Sequence, residues 1–423
     1  MTDVHRTVEA IWKIESTRLI AAIARVTGDI GIAEELAQDA LVAAMERWPQ
    51  DGIPENPASW LMTAAKRRAI DNFRRGQMLA QKHGEIARDL QDQQQRLGEA
   101  MDHALDQVID DDVLRLIFTA CHPVLPMEGR VALTLRLVGG LNTAEIARAF
   151  LISERTMGQR IFRAKKALTE ADVPFEVPRG QELQRRVNSV LSVVYLIFNE
   201  GYTATTGNEW MRNALCDEAL RLGRMLAQMI PSESEVHALL ALMEFNSART
   251  AARRGEHGEA ILLPDQNRSL WDYAQIQRGS ASLGRAQQLG GGSGLYAVQA
   301  AIAACHMQAR TAEQTDWNRI VTLYNALLQT APSPIVALNR AVAVGMAKGP
   351  SAGLAALDAI ASPESDSPLA GNHLYHGVRA DLLMKLGSIT EARRELQCAI
   401  SLTQNLREKQ LLEVRLRQID SRG

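Results

Sequence analysis

Apolar residues recur every three or four positions along most of the chain, which is the spacing of α-helices that bury one face. In the stretch 33–48, Leu36, Ala40 and Ala44 fall on one face and acidic residues on the other. The stretch 56–75 continues the pattern after a start that contains proline. Aromatic residues form only 4% of the chain, and strands favour aromatic and β-branched residues. The pattern therefore predicts an all-α protein.

Residues 141–168 predict two short amphipathic helices that meet at a tight turn. Asn142 or Thr143 suits the start of the first helix, and Ser153 suits the start of the second. The second helix has one apolar stripe at helical spacing, formed by Met157, Ile161, Ala164 and Leu168. Its polar residues must then face outward, which is the arrangement of a helix-turn-helix.

The second half of the chain shows a repeated pattern of paired helices. Small and apolar residues in 371–402 have the spacing of a tetratricopeptide helix pair, namely Ala380, Leu383, Gly387, Ala392, Leu396 and Ala399. A weaker copy covers 334–360, and the stretches 217–249 and 317–329 resemble degenerate pairs. Because one such pair cannot bury its apolar face alone, we expect an α-helical repeat array over 180–423.

Two of the predicted helices are strongly cationic, although the formal net charge of the chain is only -2. The stretch 56–75 has five cations against Asp71, and 141–166 has six cations against two acids, so each carries a net charge of +4. Long cationic side chains suit phosphates and the acceptor edges of bases in a major groove. The local charge favours nucleic-acid binding, and a solvated cationic face on an ordinary helix pair is the alternative.

The sequence disfavours several other classes of protein. The four cysteines form no close pair, so neither a disulfide framework nor a metal site is expected, and the thiols should be buried and reduced. The longest apolar run, 190–198, is shorter than the roughly 18 residues of a spanning helix, and the N-terminus lacks a secretion signal. No catalytic or phosphate-loop motif occurs. We therefore expect a cytoplasmic protein that is not an enzyme and has no cofactor.

Three motifs follow one another along the first half: AEELAQDAL from Ala33, WLMTAAKRRAIDNFRR from Trp60 and RIFRAKK from Arg160. In this order and spacing they resemble bacterial RNA polymerase sigma factors of the extracytoplasmic-function (sigma-70-like) class, in the subgroup with a C-terminal tetratricopeptide-like extension. The resemblance implies four segments, namely region 2 in 1–75, a linker in 76–110, region 4 in 111–170 and the extension in 180–423.

In this family the acidic helix docks on the β′ clamp of core RNA polymerase, and the core β subunit is a further partner. The resemblance implies that Glu35, Gln38 and Asp39 contact the clamp. It also implies that the next helix binds the melted −10 promoter element through Asn56, Trp60, Lys66, Arg67, Arg68 and Arg74. Unpaired bases stack on aromatic rings, and cations hold the phosphates. A lone tryptophan at a helix start is more often a core anchor than a stacking platform, and Arg67 stands where many members carry Asn, so base reading at Arg67 is an open question.

Region 4 of the family reads the −35 promoter element with the second helix of its helix-turn-helix. The resemblance places Arg155, Gln159, Arg160, Phe162, Arg163 and Lys165 on the DNA. Phe162 lies off the apolar stripe. It either contacts a thymine methyl group of the DNA or covers part of the domain surface. Members of the subgroup have no cognate anti-sigma factor, and their extension is thought to affect activity.

Two polar segments stand out within the extension, at 198–207 and 262–272. Their side chains suit a pocket for an unknown ligand or protein, and those we single out are Asn199, Glu200, Tyr202, Asp265, Arg268 and Trp271, with Gln266 and Asp272 beside them. Helix caps and buried hydrogen bonds between helix pairs are the more common role of such groups, and this interpretation is favoured over a pocket.

Three functional hypotheses follow. The first is a promoter-specificity subunit of RNA polymerase, which would associate with the nucleoid when bound to polymerase. The second is a stand-alone helix-turn-helix regulator with a helical sensing domain, and the third is a repeat scaffold whose basic helices are incidental. The region 2 motif favours the first, because an operator-binding regulator has no use for a clamp-docking helix.

Overall fold

A computed structural model describes residues 3–80, 110–202, 212–255, 261–360, 371–403 and 406–420. The regular elements of these ranges are α-helices, with short π and 3-10 turns between some of them. The prediction of an all-α protein is therefore confirmed. The chain divides into two compact units, which we call unit 1 (Met1–Leu196) and unit 2 (Ile197–Gly423).

Unit 1 begins with three long helices and continues with shorter ones. Its helices are α1 (Asp3–Thr27), α2 (Ile30–Asp51), α3 (Pro57–Ala80), α4 (Asp110–Ala120), α5 (Met127–Leu133), α6 (Thr143–Ala149), α7 (Glu154–Glu170) and α8 (Gly180–Tyr202). A π turn, Thr134–Val138, follows α5 directly. The division between the two units falls within α8.

The start and the buried face of α2 follow from its sequence. The Asp29 carboxylate accepts hydrogen bonds from the backbone N–H groups of Gly31 and Ile32, at 2.6 and 3.0 Å, and so caps the helix. The inward face that the apolar spacing predicts is buried at every position, Leu36, Ala40, Ala44 and Trp48 being at most 2% exposed. The opposite face of α2, which includes Ile32, Glu35 and Val42, is exposed to solvent.

The predicted helix-turn-helix is present as α6 and α7. Asn142 and Glu145 form a reciprocal capping box on α6, and the Ser153 side chain accepts from the Thr156 N–H at the start of α7. Leu151, in the turn between them, takes a φ of 52°. The predicted apolar stripe of α7 is buried at Met157, Ile161, Ala164 and Leu168.

Unit 2 is a succession of helices joined by short turns. Its helices are α9 (Asn213–Met229), α10 (Ser234–Ser247), α11 (Tyr273–Gln288), α12 (Leu295–Gln308), α13 (Trp317–Thr330), α14 (Pro334–Lys348), α15 (Pro350–Ile360), α16 (His373–Lys385), α17 (Ile389–Leu402) and α18 (Leu406–Asp420). Three 3-10 turns lie between α10 and α11, at Thr250–Arg253, Leu263–Asp265 and Arg268–Leu270.

Small residues bring the paired helices of unit 2 together, as the sequence predicts. Five residues of the tetratricopeptide pattern share one core cluster, namely Ala380, Leu383, Ala392, Leu396 and Ala399. Gly387 makes the turn between α16 and α17 with a φ of 80°. Between α14 and α15, a Cβ at Gly353 would lie 2.7 Å from the Cα of Gly345, so only glycine permits this approach.

The first turns of α8 belong to unit 1. The Arg186 guanidinium donates to the Phe118 carbonyl at 2.7 Å, and the Ser189 hydroxyl donates to the Cys121 carbonyl at 2.6 Å. Residues that the sequence assigns to the extension from position 180 therefore pack on α4 and the turn that follows it. The division at 196 describes the compact units of this chain, while the functional bounds of the four segments remain predictions.

Candidate nucleic-acid interface

The outward face of α7 displays most of the side chains that the sequence predicts to touch DNA. Arg155, Gln159, Phe162 and Arg163 are exposed, Phe162 by 67%, while Arg160 is half-buried. They lie opposite the buried stripe because α7 is a regular helix whose apolar residues all turn inward. The result is a cationic surface of exposed long donors on one helix face.

Lys165 lies apart from that surface. Its ammonium group forms an ion pair with the carboxylate of Glu34 on α2, and the Lys165 side chain is only 21% exposed. Arg136, from the π turn, donates to the same carboxylate from Nε at 2.6 Å. The structure thus groups Lys165 with Glu34 and Arg136, and its DNA contact stays a prediction.

The first two of the predicted −10 side chains, Asn56 and Trp60, lie at the start of α3. The Asn56 side chain accepts from the Ser59 N–H at 3.0 Å and so caps α3. Trp60 is half-buried, with its ring edge-on to Trp48 at 5.3 Å between centroids and 70° between planes. The arrangement leaves Trp60 partly anchored in the core and partly open to the surface, so both sequence interpretations have a structural basis.

A groove of about 530 Å³ runs between α2 and α3. Trp60 forms one wall, and the exposed Arg67 and Arg68 lie along its edge. Lys66, on the same helix, is half-buried. Arg74 belongs to α3, but its side chain lies outside the described residues. An aromatic wall beside two guanidinium groups suits unpaired bases and their phosphates.

The predicted polymerase-contact residues lie on α2. Glu35 is exposed and Asp39 half-buried, while Gln38 donates from Nε2 to the Glu34 carboxylate at 2.8 Å. Two apolar side chains that the sequence interpretation overlooked flank them, Ile32 at 49% and Val42 at 51% exposure. Ile32 lies three residues before Glu35, Asp39 four residues after it and Val42 three residues further on, so the four share one helical stripe, and a search for a second helical periodicity would have found it.

The first polar segment of the extension makes contacts within unit 2. Glu200 forms an ion pair with Arg212, and Asn199 is half-buried. The Tyr202 ring stacks on Phe198, and the Arg253 guanidinium lies 3.6 Å from its centroid. Such contacts fit the interpretation in which these groups join helices, and a ligand at this position stays a prediction.

The second polar segment surrounds Arg268. Its guanidinium donates to the carbonyls of His306 and Ala309, at 2.9 and 2.5 Å, and lies 4.6 Å from the Trp271 ring centroid. Trp271 is buried, and Asp265 is exposed at the rim of a cavity of about 310 Å³. Arg268 thus caps the C-terminal end of α12, because the last carbonyls of a helix have no hydrogen-bond donor within the helix.

The described residues were searched for membrane-spanning helices, for metal-ligating groups and for free cysteines. Across those ranges no helix is long and apolar enough to cross a membrane, and no group of three His, Cys, Asp or Glu side chains converges as metal ligands do. Cys121, Cys216 and Cys305 are free and buried as expected. Cys398 is also free but half-buried, because it lies on the outer side of α17 rather than in its stripe.

Family comparisons match three segments of the chain. Residues 14–78 match Sigma-70 region 2, and residues 115–168 match Sigma-70, region 4. Residues 186–287 match a family of unknown function, DUF6596. The region 2 match contains α2 and most of α3, and the region 4 match contains α6 and all but the last two residues of α7.

Similar proteins fall into two groups. An uncharacterized protein of Rhizobium meliloti (strain 1021) is 40% identical over 398 residues, which cover 94% of this chain and 92% of that protein. The ECF RNA polymerase sigma factor SigK of Mycobacterium ulcerans (strain Agy99) is 30% identical over 36% of this chain and 78% of its own length. The probable ECF RNA polymerase sigma factor SigI of Mycobacterium tuberculosis is 25% identical over 42% of this chain and 59% of its own length. No solved structure matches the chain.

Proposed function

Because the chain belongs to the extracytoplasmic-function class of RNA polymerase sigma factors, we propose that it docks on core polymerase through α2 and directs it to promoters read by α3 and α7. Members of this class are transcription initiation factors rather than enzymes. The observation that carries the proposal is the exposed cationic face of α7, set opposite a fully buried stripe on a helix-turn-helix.

The −35 element would be read by α7 in the major groove. Arg155, Gln159 and Arg163 follow one another at intervals of four residues, so they rise by about 6 Å per step along one face. A major groove is about 12 Å wide and admits a helix, while arginine pairs with guanine and glutamine with adenine. Three such donors on successive turns suit neighbouring base pairs.

The −10 element would be held in the groove between α2 and α3. Trp60 would present an aromatic surface to a base, and Arg67 and Arg68, which line the same groove, would hold the phosphates of that strand. Stacking of one base on an aromatic ring contributes about 1–3 kcal/mol. The groove thus suits a strand that is already unpaired, which is the form of the −10 element after melting.

Core polymerase would bind the exposed stripe of α2. Glu35 and Asp39 supply the acidic groups that the family resemblance predicts, and Ile32 and Val42 supply apolar area on either side of them. A few well-packed side chains carry most of the affinity of an interface, and charged groups contribute mainly to its orientation and on-rate. We therefore place the β′ clamp on this stripe, with the acids orienting it.

Run-off transcription with purified core polymerase tests the proposal. The template pool is genomic DNA from the source organism, and start sites are mapped by sequencing the 5′ ends of the transcripts. The chain should direct initiation at a small set of sites that share −10 and −35 sequences. The variant Gln159→Ala/Arg163→Ala should lose most of this output while it still co-elutes with core polymerase.

Arg179→Gln serves as the matched control, because Arg179 is exposed in unit 1 but lies outside α7. It should transcribe like the natural chain. Loss of core binding by the double variant would misplace the reading helix, and an absence of specific initiation by the natural chain would reject the sigma-factor mechanism.

Unit 2 would modulate this activity. A chain that ends after Leu196 keeps Arg186 and Ser189, which pack on unit 1, and lacks the helices of unit 2. Its run-off output at equal core concentration should differ from that of the full chain. Equal output from the two chains would count against a regulatory role for unit 2.

A further inference from the structure

A cavity of about 310 Å³ opens in unit 2 beside the second polar segment of the extension. We propose that it binds a small molecule with a carboxylate at one end, a flat apolar middle and an ammonium group at the other end. The cavity belongs to unit 2 alone. The inference therefore goes beyond the proposed function and does not depend on whether unit 1 initiates transcription.

The wall of the cavity suits a flat apolar group. It is formed by two of the 3-10 turns before α11, the end of α12, the loop after it and the start of α13. The imidazole of His306 lies edge-on to the Trp317 ring, with 5.2 Å between centroids and 74° between planes. Leu263 and Met346 add apolar surface. Ligand cavities begin at about 300 Å³, so this one suits a molecule of about one ring with short substituents.

Two polar groups in the wall are buried and have no hydrogen-bond partner within the described ranges. Thr315 is only 6% exposed, and its hydroxyl is one of them. The indole Nε1–H of Trp317 is the other. A buried polar group without a partner is costly, and native proteins pair the great majority of such groups. Two of them in the wall of one cavity indicate a place for the acceptor atom of a ligand.

Arg268 gives the same wall a positive charge that is held in place. Its Nη1 donates to both of the carbonyls that follow α12 or end it, and the guanidinium lies over the Trp271 ring. A carbonyl and an aromatic ring carry no net charge, so both orient the guanidinium without neutralising it. A carboxylate is the acceptor that fits best, because it can accept from a guanidinium and from hydroxyl or indole donors at once.

The exposed side of the cavity is acidic. Asp265 and Glu313 line it and are exposed, so with Arg268 the charged lining has two acids against one cation. His306 adds no charge at neutral pH, because burial, with Arg249 and Arg268 nearby, lowers its pKa to about 4. A purely anionic ligand would be repelled by the acids, and a purely cationic one by the guanidinium. A molecule with both charges matches both.

Isothermal titration calorimetry of the full chain tests the site with three probes built on one ring. 4-(Aminomethyl)benzoic acid carries both charges, 4-methylbenzoic acid lacks the amine, and benzylamine lacks the carboxylate. The first probe should bind with a dissociation constant of about 1 mM or below, at least about tenfold more tightly than either of the others. Equal binding of a probe with one charge, or no saturation by the first probe up to about 10 mM, would refute the site.

Thr315→Val separates binding from folding. The change removes the hydroxyl, so the first probe should bind about fivefold more weakly, which corresponds to the loss of one hydrogen bond. The free chain should melt at the same temperature or a higher one, because this hydroxyl has no partner within the described ranges. Thr322→Val, at an exposed position of α13 outside the cavity, is the matched control and should leave the affinity unchanged. A lower melting temperature with unchanged affinity would overturn the assignment.

Asp265→Asn tests the end that binds the ammonium group. It should weaken 4-(aminomethyl)benzoic acid and benzylamine and not 4-methylbenzoic acid, since only the first two carry an amine. An equal effect on all three probes would refute the recognition of an amine at this rim. Run-off transcription keeps the two proposals apart. A chain that binds the probe and does not initiate transcription retains this site and loses the proposed function, and the reverse result does the opposite.

Discussion

Replacing Arg163 by glutamine removes one outward cation from α7 and keeps most of the side-chain volume. Three further cations point outward or partly outward on this helix, Arg155, Arg160 and Lys166. Each cation that neutralises a duplex phosphate contributes about 0.9 to the slope of log affinity against log salt concentration. Four such contacts give a slope of about 3.6, and Arg163→Gln should lower it to about 2.7.

The effect is large enough to measure with a mixed-sequence duplex. Between 50 and 200 mM salt, one lost phosphate contact changes the ratio of affinities by about 3.5-fold. Fluorescence anisotropy of a labelled 25-base-pair duplex, titrated with the full chain at several salt concentrations, gives the slope. The variant should bind more weakly at 50 mM salt and converge with the natural chain at high salt, since the lost contact is electrostatic.

Arg179→Gln makes the same change of charge outside α7 and controls for the net charge of the chain. Its slope should equal that of the natural chain. If Arg163→Gln and Arg179→Gln lowered the salt slope equally, binding to the duplex would depend only on the net charge of the chain. In that case α7 would not be the DNA-binding element, and the reasoning from its exposed face would be wrong.

Three further predictions concern docking, packing and pH. Asp39→Ala should weaken co-elution with core polymerase and leave duplex affinity unchanged; the reverse pattern would reject α2 as the docking helix. Gly353→Ala should destabilise unit 2 by about 1–3 kcal/mol because of the 2.7 Å clash, whereas Gly284→Ala, which has open space, should stabilise it by about 0.5–1 kcal/mol; urea unfolding that gives both the same sign would contradict this. Burial, with Arg249 and Arg268 nearby, lowers the pKa of His306 to about 4. The unfolded chain therefore gains a proton that the folded chain does not, and stability should fall by up to about 3 kcal/mol from pH 6.5 to 4; His306→Gln should show a smaller fall, and equal falls would refute the assignment.

Much of the fold follows from local sequence. The buried faces of α2 and α7 were predictable because apolar residues repeat at helical spacing, as at Leu36 and Ile161, and the caps of α6 and α7 follow from short polar side chains at their starts. Local periodicity does not tell which helix a surface meets. The extent of α8 within unit 1 depends on hydrogen bonds to residues some 68 positions earlier, which no local pattern encodes.

The candidate site was predictable in its exposed part and not in its buried part. Arg155 and Arg163 were assigned correctly to the outward face of α7, because the opposite face is apolar. Lys165 and Glu34 could not be paired from the sequence, since more than a hundred residues separate them. A signal for Glu34 existed, however, because this acid falls on the apolar stripe of Ile30 and Ala37, where an unpaired charge would be costly.

The direction in which the Arg136 side chain points depends on the number of residues in the π turn at Thr134–Val138. A π turn contains one residue more than the α-helical turn it replaces, so deleting one residue there would restore ordinary winding and rotate the following side chains by about 100°. Arg136 would then swing away from α2, and a leucine would face the carboxylate in its place. In relatives that are one residue shorter at this turn, an acid at the position of Glu34 should therefore keep only the lysine of α7 as its cationic partner.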